Sequence, residues 1–328
     1  MKKAVVIGGA GHIGSYLVPK LVNMGYSVSV ISRGTSKPYS ADLPEWDNVE
    51  FISCDRKEMV EKGTFGKFVC DMKPDLICDL ISFTMEDAKD LCEAMMADEN
   101  ISKNTMLVWI GTIWIYGYKQ YAPVDEDHQR KGITNYGRRK DEIEKYIIAL
   151  AREGKIKATV LHPGHISGRG WLPLNPQGNL DVKVYQDIIS GREILLPDDG
   201  NAMLHHVHSD DIARMVEVCI NKPDAAIGEY FNIVSPKAVT FRGFAEKLYE
   251  AYGHESKIKY MSFEEMKKDM KPEDIKETIE HMSHSPSCSM EKAKRILDFE
   301  PIHSSVDTVL DALDWQMKEN PEFIKGLE

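Results

Sequence analysis

A tyrosine and a lysine whose spacing suits acid–base chemistry stand near the middle of the chain. In the segment "YGRRK", Tyr136 and Lys140 lie four residues apart. If this segment begins a helix, that spacing places both side chains on one helix face. A phenol with its ordinary pKa of about 10 is a poor base at neutral pH, and a neighbouring ammonium group lowers that pKa by favouring the phenolate. The pair therefore predicts a general acid/base in which Lys140 lowers the pKa of Tyr136.

A glycine-rich loop close to the N-terminus could hold the phosphates of a cofactor. The segment "VVIGGAGHIG" lies between an apolar run that predicts a strand and a pattern that predicts a helix. Glycine permits a tight turn and a close approach of the backbone to a pyrophosphate. The start of the helix adds free N–H groups and the positive end of its dipole. The residues predicted to bind these phosphates are Gly8, Gly11, His12, Ile13 and Gly14.

The end of the second predicted strand indicates which dinucleotide binds. In dinucleotide-binding folds, an acidic residue there binds the ribose 2′-hydroxyl of NAD, whereas an arginine accommodates the 2′-phosphate of NADP. This sequence reads "ISRG", so Ser32 and Arg33 stand at that position without an acid. The charges therefore favour NADP, and NAD is the alternative.

The glycine spacing and the Tyr-x-x-x-Lys pair together resemble one enzyme superfamily. Gly-x-x-Gly-x-x-Gly is similar to the cofactor loop of the short-chain dehydrogenases/reductases. Three later segments resemble the extended branch that contains NAD-dependent epimerases and dehydratases: "HPGHISG" (162–168), "VHSDDIA" (207–213) and "SMEKAKRILDFEP" (289–301). The resemblance covers nearly the whole chain and is not specific for a substrate.

This resemblance implies roles for further residues. "GTIWIYG" is similar to the Ser-Ser-x-x-Val-Tyr-Gly segment of the family and places Thr112 on its catalytic Ser/Thr position. Asp55 matches a position that contacts the adenine amino group, and Pro163 lies where the backbone meets the nicotinamide. In the implied site Thr112 orients the substrate oxygen, Tyr136 exchanges its proton, and Lys140 holds the nicotinamide ribose.

Two departures from the family pattern bear on the substrate. Nucleotide-sugar enzymes of this branch often carry an arginine that grips the diphosphate, and Leu204 stands in its place. Three other arginines are candidates to replace it: Arg169, Arg192 and Arg214. Dehydratases carry Asp-Glu after the catalytic threonine, whereas Ile113 and Trp114 follow here.

The expected activity is epimerisation, or oxidation and reduction, at a secondary hydroxyl or ketone of a sugar-like substrate. A nucleotide sugar is in doubt, and a sugar 4,6-dehydratase is disfavoured.

Composition and charge narrow the classes of partner. The 328 residues are 42% hydrophobic and carry a net charge of -11, which is typical of a globular protein with little attraction for nucleic acid or anionic membranes. No apolar run predicts a membrane span, and no signal peptide is predicted. Six scattered cysteines without a C-x-x-C pair indicate buried free thiols. We expect a cytoplasmic protein with a small-molecule substrate, and the resemblance implies a homodimer.

A different class of function is the alternative. Arg33-Gly34 and "CDR" (54–56) resemble an atypical subgroup of the family in which some members bind RNA. The chain could then be a non-catalytic dinucleotide-binding regulator or an RNA-associated protein. The acidic net charge and the complete set of Thr112, Tyr136 and Lys140 argue against this alternative.

The elements that must position these residues alternate between strands and helices. Strands are predicted at 3–7, 27–31, 49–54, 75–81, 106–112 and 157–163, and helices at 12–24, 85–97, 135–152 and 180–191. The alternation predicts an α/β fold, a Rossmann-type doubly wound parallel sheet, with a smaller C-terminal substrate-binding lobe. Residues 1–165 and 205–235 are assigned to the dinucleotide-binding domain, and 166–204 and 236–328 to the lobe. The Gly- and Pro-rich segment 163–178 is predicted to be loop, and the stretch 241–328 is predicted to be helical, broken at Pro272, Pro286 and Pro301.

Histidines and tryptophans outside these motifs give weaker signals. Three closely spaced histidines lack a further ligand at suitable spacing, so no metal site is predicted at His205, His206 and His208. His162 and His165 flank the predicted nicotinamide position and are candidates for substrate contact. Trp171 could line a substrate pocket, whereas three tryptophans are expected in the core or in an interface: Trp109, Trp114 and Trp315.

Overall fold

The computed structural model describes residues 1–327 of the chain. Its strands are β1 (Lys3–Ile7), β2 (Ser27–Ser32), β3 (Val49–Ser53), β4 (Leu76–Asp79), β5 (Met106–Ile110), β6 (Lys157–Pro163), β7 (His165–Ser167), β8 (Ile194–Pro197), β9 (Met203–Leu204), β10 (His206–His208), β11 (Tyr230–Ile233), β12 (Val239–Thr240) and β13 (Ile258–Met261). Its α-helices are α1 (His12–Asn23), α2 (Arg56–Glu61), α3 (Phe65–Asp71), α4 (Met85–Ala97), α5 (Glu99–Asn104), α6 (Asn135–Arg152), α7 (Val182–Ile189), α8 (Ser209–Asn221), α9 (Pro223–Ala226), α10 (Phe241–Ala251), α11 (Phe263–Met266), α12 (Pro272–His284), α13 (Glu291–Leu297), α14 (Ser305–Glu319) and α15 (Pro321–Lys325).

Seven parallel strands form the main sheet, in the order β11-β6-β5-β4-β1-β2-β3. All neighbouring pairs in this sheet are parallel. The chain starts at β1, builds outward through β2 and β3, and then returns to the other side of β1 with β4. Ligands of doubly wound sheets bind at the carboxyl ends of the strands where the order reverses, which here lies between β1 and β4. The predicted fold class is confirmed.

The central strands are continuous apolar runs because helices cover both faces of the sheet. The sequences of β1 and β5 are KAVVI and MLVWI, and their successive side chains pack alternately in the hydrophobic cores on the two faces of the sheet. Val6 and Val108 pack in the core that α1 and α8 cover, whereas Val5 and Leu107 pack in the core beneath α4 and α6. This double burial fixes the position of each strand end at the carboxyl edge.

The C-terminal part of the chain builds a third core outside the main sheet. Its large buried side chains come from α7, α10 and α14 and include Tyr185, Phe244 and Leu313. Three two-stranded sheets accompany it: β7 with β10, β8 with β13, and β9 with β12. β11 pairs with β6 at the edge of the main sheet. The domain boundaries given above stay a prediction.

The predicted strands and helices of the main sheet are confirmed, with two corrections. The segment 163–178 is not loop throughout, because β7 lies within it and pairs with β10. The stretch from 241 onward is not only helical, because β13 interrupts it and pairs with β8. The six cysteines are free thiols, and Cys54 is the half-buried one. Among the described residues, no helix is long and apolar enough to cross a membrane.

Candidate functional site

Two adjoining cavities run along the carboxyl edge of the main sheet. The outer cavity, about 710 Å³, is lined by residues after β1, β2 and β3, among them Ser32, Arg33 and Asp55. The inner cavity, about 480 Å³, is lined by residues after β1, β4, β5 and β6, among them Thr112, Tyr136, Lys140 and Pro163. The cavities share four lining residues, which join them into one trough: Gly8, Gly11, Ile81 and Phe83.

The glycine loop forms the floor where the two cavities meet. Gly8 has a φ of +83°, and a Cβ there would lie 2.7 Å from Ile81 Cγ2, so the tight turn needs glycine. α1 begins directly after the loop with no side-chain cap and no acidic residue in its first turn. The free N–H groups and the positive dipole end of this helix therefore fit a bound pyrophosphate.

The five predicted loop residues divide into two groups. Gly8, Gly11, His12 and Ile13 line the inner cavity. Gly14 lines neither cavity, and a Cβ there would lie 2.0 Å from the carbonyl oxygen of Gly9. Gly14 therefore acts by allowing α1 to pack closely against the loop, rather than by facing a ligand.

The outer cavity carries the residues predicted to choose the dinucleotide. Ser32 Oγ accepts the N–H of Gly34 at 3.2 Å. Arg33 is exposed, and within residues 1–327 its guanidinium forms no ion pair. The Asp55 carboxylate accepts the N–H of Glu58 at 3.1 Å and so caps α2. Arg33 is thus available for a ligand anion, whereas Asp55 already has a structural partner.

A buried ion pair supports the wall of the outer cavity and was not predicted from the sequence. Arg56 makes two bonds of 2.8 Å to the carboxylate of Asp79, the last residue of β4. Both side chains are buried, and Arg56 also lies 3.5 Å from Asp87. Ile81 and Phe83, which follow β4, were missed as well, although their place after a strand of the predicted sheet was a usable signal.

Thr112 begins the turn after β5 and lines the inner cavity. Its Oγ1 accepts the N–H of Trp114 at 3.2 Å, which holds the side chain in one rotamer. Because this bond uses an acceptor site of the oxygen, the hydroxyl proton stays free to be donated to a ligand. Its position fits the role that the resemblance implied.

Tyr136 lies in the first turn of α6, opposite Thr112. Thr134 caps this helix by accepting the N–H of Gly137 at 3.1 Å. The phenol lines the inner cavity, and although the whole residue is 43% exposed, partial burial raises the pKa of the phenol, while the nearby Thr112 hydroxyl acts in the opposite direction. The prediction that Lys140 lowers this pKa is wrong for the protein without ligands, because the Lys140 ammonium is held elsewhere.

Lys140 follows one helical turn later and is almost fully buried. Its Nζ donates to the carbonyl oxygens of Ser82 at 2.8 Å and of Ile110 at 2.9 Å. It also lies 4.4 Å from the centre of the Trp109 ring. Burial lowers the pKa of Lys140 to about 8, partly offset by the charge of Asp79. The two carbonyls hold the ammonium at the base of the inner cavity.

The two histidines proposed for substrate contact separate in the structure. His162 is fully buried, lies outside both cavities, and pairs through Nε2 with Glu144 at 2.5 Å. Its assignment to substrate contact is therefore wrong, because β6 directs it into the core behind α6. His165 does line the inner cavity, together with His206.

The tryptophans are distributed differently from the expectation. Trp171 lines the inner cavity, as predicted. Trp114 lines it too and stacks on His284, with 4.3 Å between ring centres, so its placement in a core or interface was wrong. Trp109 is a core residue. Among residues 1–327, no group of three or more His, Cys, Asp and Glu side chains is arranged to hold a metal ion.

Comparisons with known proteins agree with this geometry. Residues 4–234 match the model of the NAD dependent epimerase/dehydratase family. A UDP-glucose 4-epimerase of Mus musculus is 31% identical over 257 residues, covering 65% of this chain and 72% of that protein. The chloroplast stem-loop binding protein of 41 kDa b of Arabidopsis thaliana is 24% identical over 318 residues, covering 95% of this chain and 78% of that protein.

A solved structure shares the fold over nearly the full length. UDP-glucuronic acid 4-epimerase of Bacillus cereus, in complex with UDP-glucuronic acid and NAD, matches with a TM-score of 0.72 and 18% identity. The match covers 96% of this chain and 99% of that chain. At this identity the likeness concerns the fold alone.

Proposed function

Because the chain belongs to the NAD dependent epimerase/dehydratase family, we propose that it is an NAD(P)-dependent epimerase or oxidoreductase. It would act on a secondary hydroxyl or ketone of a sugar-like substrate. The observation that carries the proposal is the wall of the inner cavity, where Thr112 and Tyr136 interact and Lys140 lies beneath them. The likeness to the mouse UDP-glucose 4-epimerase supports the substrate class.

The trough has the features that a nicotinamide dinucleotide requires. Gly8, Gly11 and the uncapped start of α1 would bind the pyrophosphate, with the adenosine half in the outer cavity near Asp55. The nicotinamide half would lie in the inner cavity beside Pro163, near Lys140. When bound, the nicotinamide supplies the hydride acceptor or donor for the substrate carbon.

The side chains of the inner cavity would handle the proton. The free hydroxyl proton of Thr112 is donated to the substrate oxygen and holds it beside Tyr136. Since burial raises the pKa of Tyr136, the phenol is protonated at neutral pH and suited to donate a proton to the oxygen of a ketone. Oxidation needs the phenolate, which takes up the proton of the substrate hydroxyl. An epimerase would use both steps on one bound substrate, and a reductase one of them.

The preferred dinucleotide in this proposal is NADP, with NAD as the alternative. Arg33 is exposed at the outer cavity without an ion-pair partner in the described chain, and Ser32 lies beside it. A guanidinium binds a phosphate through paired, charge-assisted hydrogen bonds. The Bacillus cereus structure contains NAD, but at 18% identity it does not bear on this choice.

Substitution of Tyr136 by Phe tests the proposed activity. Y136F removes the proton-transferring oxygen and should lower kcat by about 10²- to 10⁴-fold, while dinucleotide binding and thermal stability stay close to those of the wild type. Tyr118→Phe is the matched control, since Tyr118 is 71% exposed and lines neither cavity. Full turnover by Y136F would refute the mechanism.

One comparison favours a second candidate, an RNA-associated protein. The Arabidopsis chloroplast stem-loop binding protein covers 95% of this chain. The net charge of -11 opposes it, because RNA binding relies on cationic contacts to phosphates. RNA affinity measured over a salt series decides: a steep loss of affinity with rising salt would support RNA binding, and no measurable affinity at low salt would exclude it.

Three further assignments remain part of the proposal. These are the division into a dinucleotide-binding domain (1–165 and 205–235) and a substrate-binding lobe (166–204 and 236–328), the homodimer, and the cytoplasmic location. β11, which pairs with β6, supports the return of residues 205–235 to the main sheet. Light scattering coupled to size-exclusion chromatography measures the oligomeric state, and a monomer would refute the homodimer.

A further inference from the structure

We infer that the inner cavity selects an uncharged, ring-containing alcohol or ketone and excludes the diphosphate of a nucleotide sugar. This inference rests on the proposed function, since it names the substrate class of the same site. The charge of the side chains that line the inner cavity supports this inference. Among the described residues that line the inner cavity, Lys140 is the only lysine or arginine, and no aspartate or glutamate is present.

Lys140 cannot serve as the partner of a substrate phosphate. The residue is 2% exposed, and two of the three N–H donors of its Nζ are used by the carbonyl oxygens of Ser82 and Ile110. The backbone N–H groups at the start of α1 would be occupied by the cofactor pyrophosphate, so a second diphosphate in the inner cavity needs cationic side-chain donors to replace its hydration, and arginine supplies them best. Without such a donor, the wall of the inner cavity would penalise a diphosphate.

The arginines that could have replaced the missing family arginine are engaged elsewhere. Arg169 lies 3.7 Å from Asp311, Arg192 lies 2.8 Å from Asp187, and Arg214 lies 2.6 Å from Asp211. None of the three lines the inner cavity. Leu204, which stands in place of the family arginine, is fully buried in the third core. These three arginines therefore do not replace the family arginine that is missing at position 204.

The two histidines of the wall are polar but uncharged. His165 Nδ1 accepts the N–H of His205 at 3.3 Å, so the proton of the neutral ring is on Nε2. Burial and the neighbouring His281 hold the pKa of His165 well below its usual value, and burial lowers the pKa of His206 to about 3. At neutral pH these rings can hydrogen-bond to a ligand, but they offer no positive charge to a phosphate.

Aromatic rings give the wall its shape. Trp114 is held by its stack on His284, at an angle of 13° between the rings. Trp171 packs edge-on against His12, with 3.9 Å between ring centres. Leu174 and Leu180 extend this apolar surface. Fixed indole rings beside a few polar groups suit the face of a ring-shaped ligand that carries one reacting oxygen.

Calorimetric titration of the cofactor-saturated enzyme with UDP-glucose and with UDP tests the exclusion. Saturation with NADP⁺ blocks binding of the uridine nucleotide to the cofactor trough. We expect a Kd weaker than about 1 mM for both probes. A Kd tighter than that for UDP-glucose would overturn the inference. Because this measurement needs no turnover, it stays decisive if the proposed catalytic function is wrong.

Turnover of three probes separates the two proposals. Oxidation of 1-indanol, methyl β-glucoside and UDP-glucose is followed by the absorbance of reduced cofactor, and their epimerisation, which accumulates no reduced cofactor, is followed by NMR or chiral separation of the products. We expect kcat/KM for the better uncharged probe to exceed that for UDP-glucose at least about 10-fold, a difference of about 1.4 kcal/mol. Preference for UDP-glucose would overturn the inference and leave the proposed function standing. Neither oxidation nor epimerisation of any of the three would count against the proposed function, and the calorimetric result would then decide the inference.

A pair of tryptophan variants tests the aromatic wall. Trp171→Ala should raise KM for the uncharged probe about 10-fold with a smaller change in kcat, because it removes a binding surface away from the reacting atoms. Trp315→Ala is the control, since Trp315 does not line the inner cavity. An unchanged KM in W171A, with the fold intact by circular dichroism, would contradict this part of the inference.

Discussion

The carbonyl oxygen of Trp114 lies directly against the α-carbon of Gly137. A Cβ built on Gly137 would lie 2.0 Å from that oxygen, far inside van der Waals contact. Trp114 belongs to the turn that Thr112 begins, and Gly137 follows Tyr136 in α6. The absence of a side chain at Gly137 therefore allows the turn and the helix to meet and brings Tyr136 beside Thr112.

Substitution of Gly137 by Ala should lower both stability and activity. The methyl group would meet backbone atoms, which cannot rotate away, so α6 or the turn must move. Overpacking of this kind costs about 1–3 kcal/mol, and displacement of Tyr136 from Thr112 should lower kcat about 10-fold or more. Chemical denaturation and steady-state kinetics measure the two effects.

Gly243→Ala is the matched control for this prediction. Gly243 is also the third residue of its helix, α10, and its N–H also donates to the capping threonine, Thr240. A Cβ at Gly243 would meet only the Thr240 Oγ1, at 3.1 Å. G243A should therefore change stability by less than about 1 kcal/mol. Equal effects of the two substitutions would show that the contact with Trp114 is unimportant.

Thr112→Val should remove the hydroxyl that orients the substrate oxygen while preserving the shape of the side chain. We expect kcat to fall by about 10²-fold, the scale seen when one hydrogen-bond donor to a reacting oxygen is lost. Thr112→Ser keeps the oxygen and should retain most of the activity. If T112V and T112S had the same kcat, the proposed role of the hydroxyl would be wrong.

Lys140→Met should change how stability depends on pH. The pKa of Lys140 is lowered in the folded protein to about 8, so between about pH 8 and 10.5 the unfolded chain binds more protons than the folded one. The free energy of unfolding of the wild type should therefore rise with pH in that window, relative to K140M. From pH 7.0 to 9.5 the difference should amount to about 2 kcal/mol, since each unit of pKa corresponds to about 1.4 kcal/mol.

Lys145→Met provides the comparison on the same helix. Lys145 is 60% exposed and pairs with Asp141 at 2.6 Å, so its ammonium group keeps its contact with water. K145M therefore controls for the loss of a lysine side chain from α6 at an exposed position. Denaturant melts at four pH values measure both pairs, and parallel curves for wild type and K140M would contradict the prediction.

Arg33→Ala should weaken NADP⁺ binding and leave NAD⁺ binding nearly unchanged. A charge-assisted hydrogen bond of this kind is worth about 1.5–3 kcal/mol, which corresponds to a loss of roughly 10- to 100-fold in affinity for NADP⁺. Lys62→Ala removes one positive charge from a residue that lines neither cavity and should have little effect. Tighter binding of NAD⁺ than of NADP⁺ by the wild type would exclude the preference altogether.

Much of the fold and of the candidate reactive set was predictable because the signals are local. Apolar runs such as "KAVVI" and "MLVWI" are typical of strands with helices on both faces of the sheet, and their alternation with helices predicts parallel pairing in a doubly wound sheet. The spacing of Tyr136 and Lys140 depends only on helix geometry. The glycine loop likewise depends on three positions within one turn.

Other features depended on contacts between distant parts of the chain. His162 and His165 are three residues apart, yet one is buried against Glu144 of α6 and the other lines the inner cavity. Arg56 was not recognised as a structural residue because its partner, Asp79, is 23 residues away. Local periodicity contains no information about such pairs.

By itself, the sequence determined the parallel sheet and the glycine loop, and it named Thr112, Tyr136 and Lys140 as the candidate reactive set. Only the tertiary structure decided their electrostatic state and the charge of the cavity around them. Lys140 reaches the carbonyl of Ser82, 58 residues away, and so does not lower the pKa of Tyr136 in the protein without ligands. The pKa of a side chain depends on burial and on nearby charges, and packing of distant segments sets both.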